Sequence, residues 1–237
     1  MRPICGTGGR NSLKLKFSGK TKDVFENADG SYTLALKDDA TGKDGVFDPG
    51  ENAVGLTIEG LGRASLRLTR HYFNLLAAAG IPTHFLDCDL DAVSMRVRPA
   101  EVFGQGLEFV CRRRADGSFI RRYGAYIEQG APLDYLVEVT LKDDLRADPP
   151  ITKDALLALG LLSEAEYEIC KALTRQITKL IASDLSARGL ELHDIKFEFG
   201  KHGDDILLID EISGGCMRVY RDNAPVAPMD LTKFILD

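Results

Sequence analysis

Residues 193–213, HDIKFEFGKHGDDILLIDEIS, constrain the fold more than any other stretch of this chain. Ile195, Phe197 and Phe199 alternate with Asp194, Lys196 and Glu198. Side chains two apart share a face, so a strand over 194–199 is apolar on one side and charged on the other. A second strand over 206–210 is apolar through Ile209 and then delivers Asp210 and Glu211, with the hydrophilic turn GKHGDD before it. Pairing across that turn brings Glu198 toward Asp210. A carboxylate that follows a buried apolar strand is costly unless paired or metal-bound. Two of them converging at a strand end suit a Mg2+ that also holds ATP phosphates. An ion-paired hairpin centred on Lys196 is the alternative.

Antiparallel strands also dominate the first half. Val24 and Phe25 lead into the turn cluster NADG at 27–30, and SYTLAL follows with β-favouring residues. Met95 and Val97 alternate with Arg96 and Arg98 from Val93 onward, and LEFVCR at 107–112 reads as a second half-buried strand. Leu68, Tyr72, Leu75, Leu76 and Ala79 recur at helical spacing and predict a helix over 63–79, stopped by Gly80 and Pro82. After Pro149-Pro150, Thr152 can cap a short helix. Ser163 and Glu166 form a capping-box pattern, and Ile169, Leu173, Ile177, Leu180 and Leu185 are expected to mark the buried stripe of a long helix ending near Gly189. Grouped strands followed by long helices predict an α+β fold: a small antiparallel β-rich lobe over a larger mixed lobe, with a cleft between them. The expected division is an irregular lead-in over 1–18, a small lobe over 19–100 and a larger lobe over 101–237.

Composition excludes several classes. With 30 Lys+Arg against 36 Asp+Glu the net charge is −6, which argues against a long basic face for nucleic acid. No apolar run approaches the ~20 residues that span a bilayer, and the N-terminus has no apolar signal region. Cys5, Cys88, Cys111, Cys170 and Cys216 are scattered and odd in number, without a C-x-x-C pair, so a cytoplasmic protein free of disulfides is expected. The four histidines lack metal-ligand spacing, no G-x-S-x-G elbow occurs, and GTGGRN at 6–11 completes no phosphate-loop motif.

Three further segments bear chemistry. GKTKD at 19–23 sets Lys20 and Lys22 on one side of an extended segment, where two ammonium groups beside a glycine suit polyphosphate. KDDATGKDG at 37–45 reads as an acidic turn containing Asp44 and lacks calcium-loop spacing. CRRRADGSFIRRYG at 111–124 packs five arginines into eleven residues of an acidic protein, which implies an anionic ligand. Arg112 ends a strand there, ADGS turns the chain, and Ser118 and Arg122 can face back toward it. Arginine forks and a hydroxyl match phosphate or carboxylate oxygens.

In this order the segments GKTKDVFE, KDDATGKDG, AAAGIPTHF, EFVCRRRADGSFIRR, LKDDLRADPP, HDIKFEFG and LIDEIS, with Arg218, resemble the SAICAR synthetase (phosphoribosylaminoimidazole-succinocarboxamide synthase) family over residues 19–218. The resemblance implies an ATP-dependent amide ligase of purine biosynthesis. Such an enzyme activates the carboxylate of carboxyaminoimidazole ribonucleotide as an acyl phosphate, which the amine of L-aspartate displaces, with Mg2+ required. By position it implies Lys20 and Lys22 as nucleotide contacts, and Glu198 and Asp210 as metal carboxylates. It implies Arg112, Ser118 and Arg218 as ligands of the ribonucleotide, with Arg122 and Asp44 beside them, and Lys142 and Lys196 as groups of the reacting centre. Self-association into a homo-oligomer is left open. The chain departs from the family at Gly214-Gly215, where Pro-Asp is usual, at the longer RPAEVFGQG connector, and in an expected lack of the usual C-terminal helix. A related ligase for another imidazole or nucleotide carboxylate, or a nucleotide-binding protein without ligase activity, are the competing readings.

Overall fold

The computed structural model describes residues 14–51 and 53–237. Its first half contains β1 (Lys14–Ser18), β2 (Lys22–Glu26), β3 (Tyr32–Leu36), β4 (Asp39–Lys43), β5 (Val46–Phe47), β6 (Val54–Thr57), α1 (Leu61–Ala78), β7 (Phe85–Asp89) and β8 (Ser94–Val97). The second half contains β9 (Glu101–Val102), β10 (Leu107–Arg114), α2 (Gly117–Tyr123), β11 (Pro132–Leu141), α3 (Lys153–Ala158), α4 (Glu164–Ser186), β12 (Glu191–His202), β13 (Asp205–Ile209), β14 (Met217–Arg221), β15 (Ala224–Pro225) and α5 (Pro228–Leu236).

One antiparallel sheet runs β1-β2-β3-β8-β7, and β4, β5 and β6 form a small second sheet beside it. The third sheet is organised by β12, whose twelve residues outrun either neighbour. β10 pairs with its Asp194–Glu198 portion on one side. On the other edge β14 takes the Glu191–Ile195 portion and β13 takes Glu198–His202. The α+β class expected from element order is the observed one. The segment 82–84 ties the first and third sheets together, through Leu208 N–H to the Pro82 carbonyl and His84 N–H to the Leu208 carbonyl. No helix among the described residues is long and apolar enough to cross a membrane.

Several local expectations need correction. The last five residues of the supposed irregular lead-in form β1, paired with β2, while GTGGRN lies outside the described residues. The supposed acidic turn is largely strand β4, and Asp38 before it accepts Gly60 N–H and Gly62 N–H at 2.9 Å each, anchoring the start of α1. β10 is a central strand buried on both faces, not a half-buried one, because β11 and β12 flank it and α4 packs on it. The capping box of α4 is present, with Ser163 Oγ accepting Glu166 N–H and Glu166 accepting Ser163 N–H. The buried stripe, however, is Tyr167, Cys170, Thr174, Ile177, Ile181 and Leu185, and Ile169 is 47% exposed. Thr174 and Thr178 can be buried because each hydroxyl donates to the carbonyl four residues earlier, which hides two polar residues from a hydrophobicity pattern. A C-terminal helix is present after all: α5, with Pro228 in its first turn, packs on α1.

Candidate active site

Between the first sheet and the third lies a cavity of about 760 Å3. Leu34, Val97, Ala100 and Val102 line an apolar part of it, while Lys20, Lys22, Lys142, Lys196, Glu108, Glu198, Asp210 and Glu211 line the charged part. Lys20 and Lys22 come from the first sheet, and the other charged groups named come from the third. Gly19 N–H donates to the Lys22 carbonyl at 2.8 Å, closing the β1–β2 turn so that Lys20 and Lys22 overhang the third sheet. Lys20 Nζ meets Asp144 at 2.6 Å, and Lys22 Nζ bridges Asp210 and Glu211. Lys142 Nζ donates to Glu198 at 2.6 Å, and Lys196 Nζ to Glu108 at 2.7 Å, whose other oxygen takes the Thr140 hydroxyl at 3.0 Å.

The register explains the carboxylates. Glu198 pairs with Ile209, so Asp210 emerges one residue past it at the end of β13, in a left-handed backbone conformation (φ 69°). Its carbonyl is held by His84 Nε2 at 3.0 Å. Burial and the neighbouring Asp210 raise the Glu198 carboxyl above its ordinary range. Burial also disfavours charge on Asp210, but Lys22, the bond with Glu211 and the Lys142 charge together outweigh it and hold the carboxyl far below the usual range. Glu211 is pushed up to about 7 by burial and by Asp210. Burial works against the Lys22 and Lys196 ammonium groups, yet their carboxylate partners dominate and keep both protonated. No three His, Cys, Asp or Glu side chains among the described residues converge as a complete cage for a metal. Two carboxylates on one cavity wall nevertheless fit a Mg2+ that keeps waters and takes its remaining ligands from substrate phosphates.

The arginine segment builds a separate cluster behind this wall. Arg112 is 2% exposed; its guanidinium donates to Glu138 at 2.5 Å, Asp194 at 2.9 Å and Ser118 Oγ at 2.9 Å. Arg122 shares Glu138 at 2.7 and 2.8 Å. Arg218 donates to Asp194 at 3.1 Å and to Asp48 at 2.7 Å. A Cβ on Gly117 (φ 52°) or Gly50 would collide with the Arg218 guanidinium, so these two glycines form its slot. Pro49 and Glu51, in the same loop as Asp48 and Gly50, line the cavity, so this loop stands between Arg218 and the lysines.

The structure therefore brings Lys20, Lys22, Lys142, Lys196, Glu198 and Asp210 together around one cavity. It gathers Arg112, Ser118, Arg122 and Arg218 beside it. Asp44 does not join them: it sits exposed at the β4–β5 turn (φ 53°), and Asp48 is the carboxylate that reaches Arg218. The sequence reading missed Glu108, Glu138 and Asp48. Glu108 and Glu138 each interrupt an apolar strand run, a signal of buried pairing that was available.

A family model described as SAICAR synthetase matches residues 15–231. A phosphoribosylaminoimidazole-succinocarboxamide synthase from Clostridium tetani is 56% identical over 95% of this chain and 100% of its own length. Among solved structures, the phosphoribosylaminoimidazole-succinocarboxamide synthase of Ehrlichia chaffeensis superposes with a TM-score of 0.79 at 25% identity, covering 90% of this chain and 88% of that one. A SAICAR synthetase in complex with ADP does so at 0.79 and 28% identity, covering 92% and 89%.

Proposed function

The chain belongs to the SAICAR synthetase family and is an ATP-dependent ligase of purine biosynthesis, and we propose that its cavity and its arginine cluster divide the substrates of that reaction between them. The nucleotide takes the cavity. Its base fits the apolar part formed by Leu34, Val97 and Val102, and its phosphates meet Lys20 and Lys22. Glu198 and Asp210 would hold Mg2+, which when bound neutralises phosphate charge and orients the transferring group. The ribonucleotide phosphate takes Arg218 and Ser118, with Arg112 fixing their geometry from within. Its carboxylate then lies toward Lys196 and Lys142. L-Aspartate is the amine donor, and the site of action is the cytoplasm.

The residues act by position and charge. The substrate carboxylate oxygen attacks the γ-phosphorus of ATP and ADP departs; the aspartate nitrogen then attacks the acyl carbon, and phosphate leaves with the oxygen it received. These steps crowd triphosphate, ribose phosphate and carboxylates into one cleft. Fixed cations and carboxylates that trade partners lower that cost, and a protein nucleophile is not needed. Lys22, paired with Asp210 across the cleft, and Lys142, paired with Glu198 beside it, can hand their carboxylates to a cation and turn to the phosphates. The observation carrying this reading is the meeting of two walls at one cavity: Lys22 reaches Asp210 from the first sheet and Lys142 pairs with Glu198 on the third, with Lys20 and Lys196 lining the same space. Phosphate release with ATP, Mg2+, carboxyaminoimidazole ribonucleotide and a panel of amino acids tests it. Release with L-aspartate is expected; release only with another acyl acceptor or another carboxylate substrate would favour a related ligase.

A further inference from the structure

We propose that His193 and Tyr220 are positioning residues that hold the anion-binding arginines in place through Asp116, an assignment that rests on the arginine cluster being the ribonucleotide phosphate site. Asp116 is buried at the start of α2. One of its oxygens accepts Gly117 N–H at 2.8 Å and the Gln129 amide at 3.2 Å. The other accepts His193 Nδ1–H at 2.9 Å and the Tyr220 hydroxyl at 2.8 Å. The two rings stack with centroids 3.7 Å apart and planes 15° from parallel, so each fixes the other's approach to the carboxylate.

What Asp116 holds explains why this matters. The next residue, Gly117, is in the left-handed conformation, and the Arg218 guanidinium lies against its Cα with no room for a Cβ. The residue after that, Ser118, accepts from Arg112. Rotating the start of α2 would therefore displace the Arg218 floor and the Ser118 hydroxyl together. The β12–β14 register shifts between Leu192 and Asp194, an irregularity that falls at His193. Such a shift re-aims side chains. From consecutive positions, His193 reaches Asp116 while Asp194 holds Arg112 and Arg218. Burial opposes charge on Asp116, but the bonds from His193, Tyr220 and Gly117 outweigh it and hold the carboxyl well below its usual range. The clamp is thus an ionised acceptor with its donors in place, preforming the cradle before any phosphate arrives.

Tyr220→Phe keeps the stacked ring and removes one donor; His193→Phe removes the other, and His193→Asn retains a donor near the Nδ1 position. Steady-state kinetics of the full chain should show the ribonucleotide KM raised roughly tenfold in Tyr220→Phe and His193→Phe, the scale seen when groups supporting a ligand are lost. The ATP KM should be unchanged, and His193→Asn should recover most of the loss. Arg218→Ala, measured alongside, separates the two ideas. If Arg218→Ala leaves the ribonucleotide KM unchanged, the phosphate-site reading fails and this assignment falls with it. If Arg218→Ala raises that KM while Tyr220→Phe and His193→Phe do not, the positioning role alone is overturned. Equal rises in both KM values with a lower melting temperature, or no recovery in His193→Asn, would mean a structural role only and would also overturn it.

Discussion

The cavity and the arginine cluster both consist of paired opposite charges, yet they are built in different ways. In the cavity each lysine is a single chain with one charged tip: Lys20 and Lys22 reach across to the third sheet, while Lys142, 46% exposed, pairs with Glu198 within it. In the cluster Arg112 is enclosed, two carboxylates each serve two arginines, and glycines press against Arg218. Lysine is a point charge on a mobile stem, whereas the planar arginine fork is preorganised for several fixed acceptors. The difference teaches where motion belongs. On the proposed division of substrates, the lysines that exchange partners sit on single flexible stems, whereas the arginines that would meet the ribonucleotide phosphate are locked before it arrives.

The largest effect that would break this comparison lies in the cavity. If Glu198 and Asp210 hold Mg2+ as proposed, Glu198→Gln and Asp210→Asn should each lower kcat by at least about a hundredfold, since each would remove charge that holds the cation against the transferring phosphoryl. Both replacements keep the side-chain shape, so the fold should persist, although Asp210→Asn weakens the pairing that holds Lys22 and should lower the melting temperature; kcat is therefore compared well below both transitions. Rates like the parent enzyme at saturating Mg2+ would move the metal ligands elsewhere.

Arginine substitutions sharpen the contrast within the cluster itself. Arg112→Met should destabilise the fold by about 3 kcal/mol, because it strands buried carboxylates. For a chain of this size that is a fall of roughly 6–12 °C in melting temperature. Arg218→Ala should instead raise the ribonucleotide KM by about ten- to a hundredfold, the loss of a charge-assisted contact of ~1.5–3 kcal/mol, with less effect on the ATP KM. If Arg112→Met melted like the parent while Arg218→Ala unfolded, the locked and substrate-facing roles would have to be exchanged.

How much of this was legible follows from which forces are local. Alternation in Ile195, Phe197 and Phe199 against Lys196 and Glu198 disclosed the hairpin and the approach of Glu198 to Asp210, because a strand's period is set by its own backbone. The Ser163–Glu166 cap was legible for the same reason. Lys22 meeting Asp210 and Glu211 was not, since those partners lie 188 and 189 residues apart and only the packing of two sheets joins them. Five clustered arginines in an acidic chain suggested an anionic ligand, and nothing in their pattern disclosed that Glu138 and Asp194 would sequester Arg112. Asp44 was named on motif position alone, and the turn geometry there sends it to solvent. The familiar order of segments supplied the activity, which spacing alone would have left among several nucleotide-binding readings.

The junction between the two regions gives a smaller effect. A Cβ at Gly214 would come within 2.7 Å of Pro228 Cβ and 2.8 Å of its Cα, so this glycine is the seat of α5 and the loop is tightly packed there. Gly214→Ala should cost about 1–3 kcal/mol through overpacking. At Gly215 a Cβ would meet only Ser213 Oγ at 3.3 Å, and the residue lines the cavity. Gly215→Asp should change stability by no more than about 0.5 kcal/mol and leave the ribonucleotide KM unchanged or lower. A raised KM would mean that the substrate offers no amino group at that point and would favour the related-ligase reading.

The smallest effect is expected where neither region is touched, and it serves as the control for both. Glu166 closes the α4 capping box and pairs with Lys201 at 2.7 Å, away from the cavity. Glu166→Ala should lower stability by roughly 1 kcal/mol, the usual size of a lost cap, with kcat and both KM values unchanged. The pH dependence has a definite sign. Lys201 first, then Ser163 N–H and its hydroxyl, hold the Glu166 carboxyl down to about 2 from an ordinary 4.5, so the folded state favours the ionised form. The stabilisation is complete above the unfolded value of 4.5 and disappears as pH falls from there through about 2. The melting-temperature gap between parent and Glu166→Ala should therefore be constant from pH 7 to about 5.5 and narrow steadily below 4.5. A gap that widened on acidification would mean the protonated carboxyl is the better cap. A change in either KM would mean that α4 is coupled to the cavity or to the arginine cluster, through a third element that connects the paired lysines with the locked arginines.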